Sequence, residues 1–220
     1  MHFEFLVEGQ VENTALSILM PMILGPYGRP HSWKIHPHQG IGRIPDDPAD
    51  PPNGRDRSLL HNLPSRLRAY GKENRADLVV VILVDLDNRP DCVAFKTQLV
   101  NVLSHCNPPP TTLFRIAVEE LEAWFLGDAT ALRAAYPKPQ LALLNSYQQD
   151  TQCGTWELLA DIVHPGGHDA LVKSYGTRSR RILEKKREWA RTICPKMQID
   201  RNRSPSFRCF VEGLRSRAAP

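Results

Sequence analysis

The pattern of hydrophobic and polar positions is clearest between residues 78 and 87, where the chain runs LVVVILVDLD. Seven apolar residues followed by two acids predict a strand over Leu78–Val84 that is buried on both faces of a sheet and ends in solvent. Residues two apart in an extended chain point the same way, so Asp85 and Asp87 are expected on one side, about 6–7 Å apart at their Cα atoms. We expect this strand at the centre of the fold.

The segments around this strand alternate between strand and helix patterns. Further strands are predicted at His2–Val7 and Thr111–Val118, with a short one at Ser32–Ile35 inside the irregular region Gly25–Asn53. An irregular region of this length is uncommon unless it covers a site. The predicted helices are Val11–Leu24, Ser58–Glu73, a helix from Pro90 to His105, and Glu119–Leu126. The alternation predicts an α/β fold in three layers, with a parallel sheet that binds ligands at its carboxyl edge.

Beyond Asp128 the pattern is mostly helical. Arg178–Cys194 is a strongly basic helix, and Arg201–Leu214 begins with a turn and continues with helical spacing. No repeat or low-complexity linker sets this half apart. We therefore expect a single domain over residues 1–220, with an α/β core at 1–127 and a helical, basic C-terminal extension at 128–220 packed on it.

Composition limits the class of protein. The chain has 220 residues, of which 41% are hydrophobic and 24% charged, which is typical of a soluble protein. No apolar run approaches the roughly 20 residues of a membrane span, and no leader pattern opens the chain, so we expect no membrane contact and a cytoplasmic location. Five cysteines without a CxxC pair indicate reduced thiols. His36 and His38 are the alternative candidates for metal ligands.

The formal net charge of +4 conceals a division along the chain. Lys173–Arg217 holds 14 Lys or Arg against 4 Asp or Glu, whereas the remainder holds 14 against 20. The basic segment could attract a polyanion towards the acidic part. The alternative is an ordinary solvated basic helix surface.

Acidic residues follow three of the predicted strands. Glu8 follows the first strand, with Glu12 a turn later in VEGQVE, and Asp85 and Asp87 follow the central one. The third is followed by Glu119, Glu120 and Glu122, of which Glu119 is nearest the strand and Glu122 is expected on the same helix face. Carboxylates converging on one edge would suit Mg²⁺ or Mn²⁺. The alternatives are a solvated strand end for the DxD motif and a dipole-stabilised first-turn residue for Glu12.

Two adjacent divalent ions are best suited to phosphodiester displacement. A carboxylate such as Glu8 could also act as general acid or base. A lysine could neutralise the charge that builds up on phosphorus, and Lys185 and Lys186 are the candidates, with plain surface lysines as the alternative.

Five motifs, taken in order, resemble a bacterial family of Toprim-like proteins. They are VEGQVE, HQGIG at His38–Gly42, DLD, VEELEAWFLGD and NRSPSF, and together they span nearly the whole chain. The Toprim fold, shared by topoisomerases, primases and the overcoming-lysogenisation-defect nucleases, is a parallel sheet flanked by helices. Ser204 is expected to cap the last helix, with Pro205 in its first turn.

The resemblance implies a two-metal nuclease site. It would match Glu8 and Glu12 to the first acid pair, Asp85 and Asp87 to the DxD, and Glu119 to the later Glu. It would match the lysine to Lys185 or Lys186. It also implies phage defence beside an ATPase partner. The chain departs from some Toprim proteins in having Arg89 where a third Asp stands, and it has no Walker motif of its own.

Three functions follow as hypotheses. The first is a Mg²⁺-dependent nuclease, for which DNA is the preferred substrate and RNA the alternative. The second is a regulatory or binding subunit that is non-catalytic or cuts only within an ATPase complex. The third, a haloacid-dehalogenase-like phosphatase using DLDN, ranks last because its nucleophile should lie on the first strand.

Overall fold

The computed structural model describes residues 1–151, 153–177 and 179–219 and forms a parallel α/β fold. Within these residues the strands are β1 (His2–Val7), β2 (Ser32–Pro37), β3 (Leu78–Asp85) and β4 (Thr112–Ala117). They pair in the order β2-β1-β3-β4, and every pair is parallel. The helices of the first half are α1 (Gln10–Leu24), α2 (Leu59–Glu73) and α3 (Cys92–Asn101), which continues as a 3₁₀ turn at Val102–His105.

The second half is helical, as the sequence predicts. Its helices are α4 (Glu122–Leu126), α5 (Ala129–Ala135), α6 (Leu141–Ser146), α7 (Thr155–Val163), α8 (Gly167–Tyr175), α9 (Arg180–Ile193) and α10 (Pro205–Ala218), with 3₁₀ turns at Cys194–Lys196 and Ile199–Arg201. Helix α9 packs against α1, and α10 packs against β4 and α1. The extension therefore covers one face of the sheet.

Two hydrophobic clusters lie on opposite faces of the sheet. Phe5 and Val81 point towards α1, α9 and α10, whereas Leu6 and Ile82 point towards α2 and α3. All four side chains are fully buried. Strand β3 is apolar from Leu78 to Val84, as expected of a strand in the interior of the sheet between two helical layers. The predicted three-layer α/β fold is confirmed.

Several element boundaries differ from the predictions. The helix predicted at Glu119–Leu126 begins only at Glu122, because Glu119 has φ +72°, in the left-handed region. Helix α3 begins after Asp91, whose carboxylate accepts the Ala94 N–H, so Pro90 lies outside it. Asp87 also has a positive φ, of 51°, and therefore lies beyond the extended strand that was expected to place it beside Asp85. The start predicted at Arg178 falls outside the described residues, and α9 begins at Arg180 after the cap Ser179.

Residues 38–58 connect β2 to α2 as an irregular segment that lies at the carboxyl edge of the sheet. The Gly40 N–H donates to the Glu8 carbonyl at 2.9 Å, and the Leu59 N–H donates to the Gly40 carbonyl at 2.9 Å. Gly42 has φ +65°, and a Cβ there would lie 1.9 Å from the Ser58 hydroxyl oxygen, so this position requires glycine. The segment is thus fixed beside the end of β1.

Two smaller expectations concern the cysteines and the membrane. All five cysteines are free thiols. None of the helices among the described residues has the length and apolarity needed to cross a membrane.

Candidate functional site

The carboxyl ends of β1 and β3 bring the first predicted acids together. The two strands are neighbours and run in register, with Val7 beside Leu83. Glu8 follows β1 directly, and its Oε1 accepts the backbone N–H of Asp85 at 2.7 Å. Glu12 lies in the first turn of α1 and is only 7% exposed. The N–H groups of Gly9 and of Glu12 itself face the Glu12 carboxylate, as in half of a capping box.

Burial and mutual repulsion raise the pKa values of these acids. Burial, together with the charges of Glu12 and Asp87, raises the pKa of Glu8 to about 8, although the Asp85 N–H partly opposes this. Burial also raises the pKa of Glu12. The pKa of Asp85 lies well above its usual value because the group is buried and faces Glu8, Glu12 and Glu122. These carboxyl groups favour the protonated state, or a positive charge placed among them.

Asp85 has a buried side-chain oxygen whose hydrogen-bonding capacity is not satisfied. Its Oδ1 is buried, and no hydrogen-bond partner for it exists among the described residues. An unpaired buried carboxylate oxygen is costly in a folded protein. A cation bound here would remove that cost.

The first two acids after β4 have different partners. Glu119 is 3% exposed, and its Oε2 accepts the Tyr147 hydroxyl at 3.0 Å. Glu120 accepts the Trp156 N–H at 2.9 Å and the Thr155 hydroxyl at 3.1 Å, and so caps α7. Burial and the charge of Glu122 raise the pKa of Glu120.

Glu122 and Glu120 share Lys186, whose side chain is 17% exposed. The ammonium of Lys186 lies 3.3 Å from Oε1 of Glu122 and 3.8 Å from Oε1 of Glu120, and it lies over the ring of Trp156. Burial lowers the pKa of Lys186, but Glu122, Glu120 and Asp85 outweigh this effect and the net shift is upward. Hereafter "the acidic cluster" means Glu8, Glu12, Asp85, Glu120 and Glu122.

The sequence alone does not decide which lysine, or which Glu after the third strand, belongs to the site. The structure places these candidates in different surroundings. Lys186 lies in the acidic cluster, whereas Lys185 forms an ion pair with Glu188 at 2.6 Å and lines a separate cavity of about 800 Å³. Glu119, preferred for the later Glu, contacts Tyr147, while Glu122 lies beside Lys186 and Asp85. The expectation that Glu119 and Glu122 share a helix face is wrong because Glu119 precedes the helix.

Asp87 and Arg89 lie at the rim of the acidic cluster. The Asp87 side chain is 44% exposed and lies 3.4 Å from an Arg89 nitrogen. Asp87 nevertheless contributes to the raised pKa values of Glu8 and Glu12. It therefore remains within electrostatic reach of the buried acids although it has left the strand.

Glu120 is the site residue that sequence reasoning did not select. Its role depends on α7, a helix that begins after Gly154 without a side-chain cap of its own. A helix start that lacks Ser, Thr, Asp or Asn leaves its first N–H groups for an acid from elsewhere. Besides the position of Glu120 after the third strand, that missing cap is a sequence signal that points to it.

The NRSPSF motif holds the segment that carries Glu120 and Glu122. Asn202 donates to the Trp124 carbonyl at 2.8 Å, and the Trp124 indole donates to the Ser206 hydroxyl at 3.2 Å. Ser204 caps α10 by accepting the Phe207 N–H, and Pro205 occupies the first turn, as expected. The motif thus ties the C-terminal helix to α4.

The alternative histidine ligands line one cavity, but each is held by another group. His36 binds the Glu4 carboxylate, and the His38 ring bonds to the Val7 carbonyl at 3.0 Å.

The chemistry of the acidic cluster suits a divalent cation. As the side chains lie, no three His, Cys, Asp or Glu residues in the described part of the chain are arranged to ligate a metal ion. The donors are nevertheless hard carboxylate oxygens, and Oδ1 of Asp85 is buried without a hydrogen-bond partner among the described residues. Four acids of the cluster interact with one lysine. Such a donor set fits Mg²⁺ or Mn²⁺ rather than softer metals.

Comparison with known proteins gives a family without an assigned activity. A family model described as "Domain of unknown function (DUF4276)" matches residues 7–215. Neither the curated proteins nor the solved structures that were searched gave a match. The resemblance to Toprim nucleases therefore stays a prediction.

Proposed function

The chain belongs to the DUF4276 family, and we propose that it is a nuclease that depends on a divalent cation. The observation that carries this proposal is the unpartnered buried oxygen of Asp85, which lies among Glu8, Glu12 and Glu122 at the carboxyl edge of a parallel sheet. Ligand sites in open α/β sheets occur at this edge.

Glu8, Glu12 and Asp85 would hold the cation, with Asp87 joining from the rim. Glu122 and Glu119 are further candidate ligands, although in this structure Lys186 and Tyr147 respectively contact them. When bound, Mg²⁺ or Mn²⁺ supplies charge stabilisation and activation of water for phosphodiester hydrolysis, with two ions as the preferred number.

The chain's own residues would complete the reaction. Glu8 lies at the end of β1 beside Asp85 and would act as general acid or base if its carboxylate is left out of the metal shell; its pKa of about 8 applies to the metal-free protein. Lys186 would offer a partly buried ammonium to the negative charge that develops on the phosphate oxygens. The basic segment Lys173–Arg217 would raise the local concentration of a polyanionic substrate, for which we propose DNA.

A cleavage assay tests the proposal. Purified protein is incubated with circular single-stranded DNA, duplex DNA or RNA, in the presence of Mg²⁺, Mn²⁺ or a chelator. We expect DNA cleavage that requires the cation. Purified protein that folds and binds Mn²⁺ but cuts no DNA or RNA would reject autonomous nuclease activity.

A second candidate is a subunit that is activated by a partner. It is favoured by the ion pairs that Lys186 and Arg89 form with Glu122 and Asp87, because these pairs would have to loosen before both acids could ligate a cation. Under this proposal an ATPase partner in a cytoplasmic phage-defence system supplies the rearrangement. Cleavage that begins only when the partner is added would favour it.

The raised pKa of Glu8 predicts a pH dependence of stability in the metal-free protein. The folded state binds a proton at Glu8 up to about pH 8, whereas the unfolded chain releases it near 4.5. Stability from this group is therefore complete below about pH 4.5 and is lost as the pH rises towards 8. Each unit of pKa shift is worth about 1.4 kcal/mol, so we expect a loss of a few kcal/mol.

Urea denaturation in a chelator across this pH range measures the effect. Histidines titrate in the same window, so the comparison is with Glu8→Gln, which keeps an oxygen to accept the Asp85 N–H. The wild type should lose more stability than the variant as the pH rises. Equal pH profiles would contradict the raised pKa.

A further inference from the structure

A second, polar cavity lies beside the acidic cluster. Its volume is about 480 Å³, and its lining includes His38, Gln39, Asp56, Arg57 and Arg66. It opens where β2 ends, between the irregular segment 38–58 and the first half of α2.

Backbone hydrogen bonds fix this cavity next to Glu8. The Gly40 N–H donates to the Glu8 carbonyl at 2.9 Å, and the His38 N–H donates to the Val7 carbonyl at 3.0 Å. Val7 pairs with Pro37 across β1 and β2. Because adjacent strands are about 4.8 Å apart, the cavity wall is one strand away from the first acid of the cluster.

The cavity presents two guanidinium groups that are available to an anion. Arg57 and Arg66 are exposed, and neither takes part in an ion pair within the described part of the chain. The acid in the lining, Asp56, is already engaged, because it accepts the Ser58 hydroxyl at 2.6 Å and the Ser58 N–H at 2.9 Å. The lining therefore carries two guanidinium charges against one carboxylate, which leaves a net positive charge.

The ring of His38 is held as a neutral wall of the cavity. Burial lowers the pKa of His38, and the charge of Arg66 lowers it further. Its Nδ1 lies 3.0 Å from the Val7 carbonyl oxygen, so the ring is oriented by the strand that leads to Glu8. The other histidine of the lining, His36, is engaged with the Glu4 carboxylate, so the donors left for an anion are the two arginines.

We infer that this cavity binds a phosphate of the nucleic-acid strand next to the phosphate at the acidic cluster. The inference rests on the proposed function, since it takes the strand to lie along the carboxyl edge from β3 towards β2. Guanidinium groups match phosphate oxygens with paired hydrogen bonds, and an open polar cavity admits a charged, hydrated group. The basic C-terminal extension and this cavity would hold the strand from either side of the cluster.

The test is binding of a short fluorescent DNA strand, measured by anisotropy in Ca²⁺ or a chelator so that no cleavage is needed. The double variant Arg57→Gln/Arg66→Gln is compared with wild type over a series of salt concentrations. We expect affinity to fall roughly tenfold, and the slope of log K against log salt to shrink by about 0.7–0.9 for each lost phosphate contact. Arg29→Gln, an exposed arginine at the opposite edge, is the matched control and should bind like wild type.

The outcomes separate this inference from the proposed function. Wild type that cuts DNA, together with a folded double variant of unchanged affinity and salt slope, would overturn the phosphate site and leave the nuclease intact. Loss of binding in the double variant alone supports the site even if no condition yields cleavage. An equal loss in Arg29→Gln would overturn it, because the effect would then be one of general charge.

Discussion

The Asp85→Asn variant is expected to lose cation-dependent cleavage by about a hundredfold or more while it folds at least as well as wild type. Asparagine keeps the shape of the side chain but removes the negative charge that a divalent cation requires. The same change relieves the repulsion by Glu8, Glu12 and Glu122 that raises the pKa of Asp85. Activity and stability should therefore move in opposite directions, which is unusual for a core substitution.

Cleavage rates in Mg²⁺ and Mn²⁺, with thermal unfolding of the same samples, measure both effects. The matched control is Asp77→Asn at the opposite edge of the sheet, where the carboxylate is exposed and pairs with Arg75 at 2.9 Å. A surface pair of this kind contributes about 0–1 kcal/mol, so the control should cut normally. Full activity in Asp85→Asn would refute the assignment of the acidic cluster.

The Lys186→Met variant should be the most destabilising substitution at the site. Methionine fills a similar volume but leaves Glu120 and Glu122 buried without their shared cation. Removing one partner of a buried ion pair costs about 3–5 kcal/mol. The cost should shrink as the pH falls, because the raised pKa of Glu120 allows it to take up a proton readily.

Lys185→Met provides the control on the adjacent residue. Lys185 pairs with Glu188, whose side chain is about half exposed, so the loss should be about 0–1 kcal/mol. Urea denaturation at neutral and at mildly acidic pH distinguishes the two variants. Equal losses of stability would mean that Lys186 does not compensate the buried acids.

The sheet was predictable because its strands carry their own signals. The run from Leu78 to Val84 is apolar on both faces, which only an interior parallel strand requires. The strand–helix alternation then gives the parallel topology, and with it the shared edge for Glu8 and Asp85. These inferences need only local patterns and the geometry of parallel sheets.

The side-chain partners of the acids after β4 could not be predicted, because tertiary contacts determine them. Glu119 has a left-handed backbone conformation, and its carboxylate contacts Tyr147. No local pattern in VEELEAW predicts this conformation. Glu120 is fixed by a helix that begins 35 positions later, at Thr155. The choice between Lys185 and Lys186 likewise depends on the rotation of α9 against α1, which the spacing of Ile182, Trp189 and Ile193 defines only coarsely.

The position of Lys186 has a consequence for synthesis of the protein on the ribosome. The acids at residues 8, 12 and 85 emerge first, and the ammonium that balances their neighbours follows with α9, about 100 residues after Asp85. Contacts between such distant positions form late in folding. A nascent chain that stops before α9 therefore carries these acids without the lysine that balances Glu120 and Glu122, so the acidic cluster gains its counter-charge only after α9 has been translated.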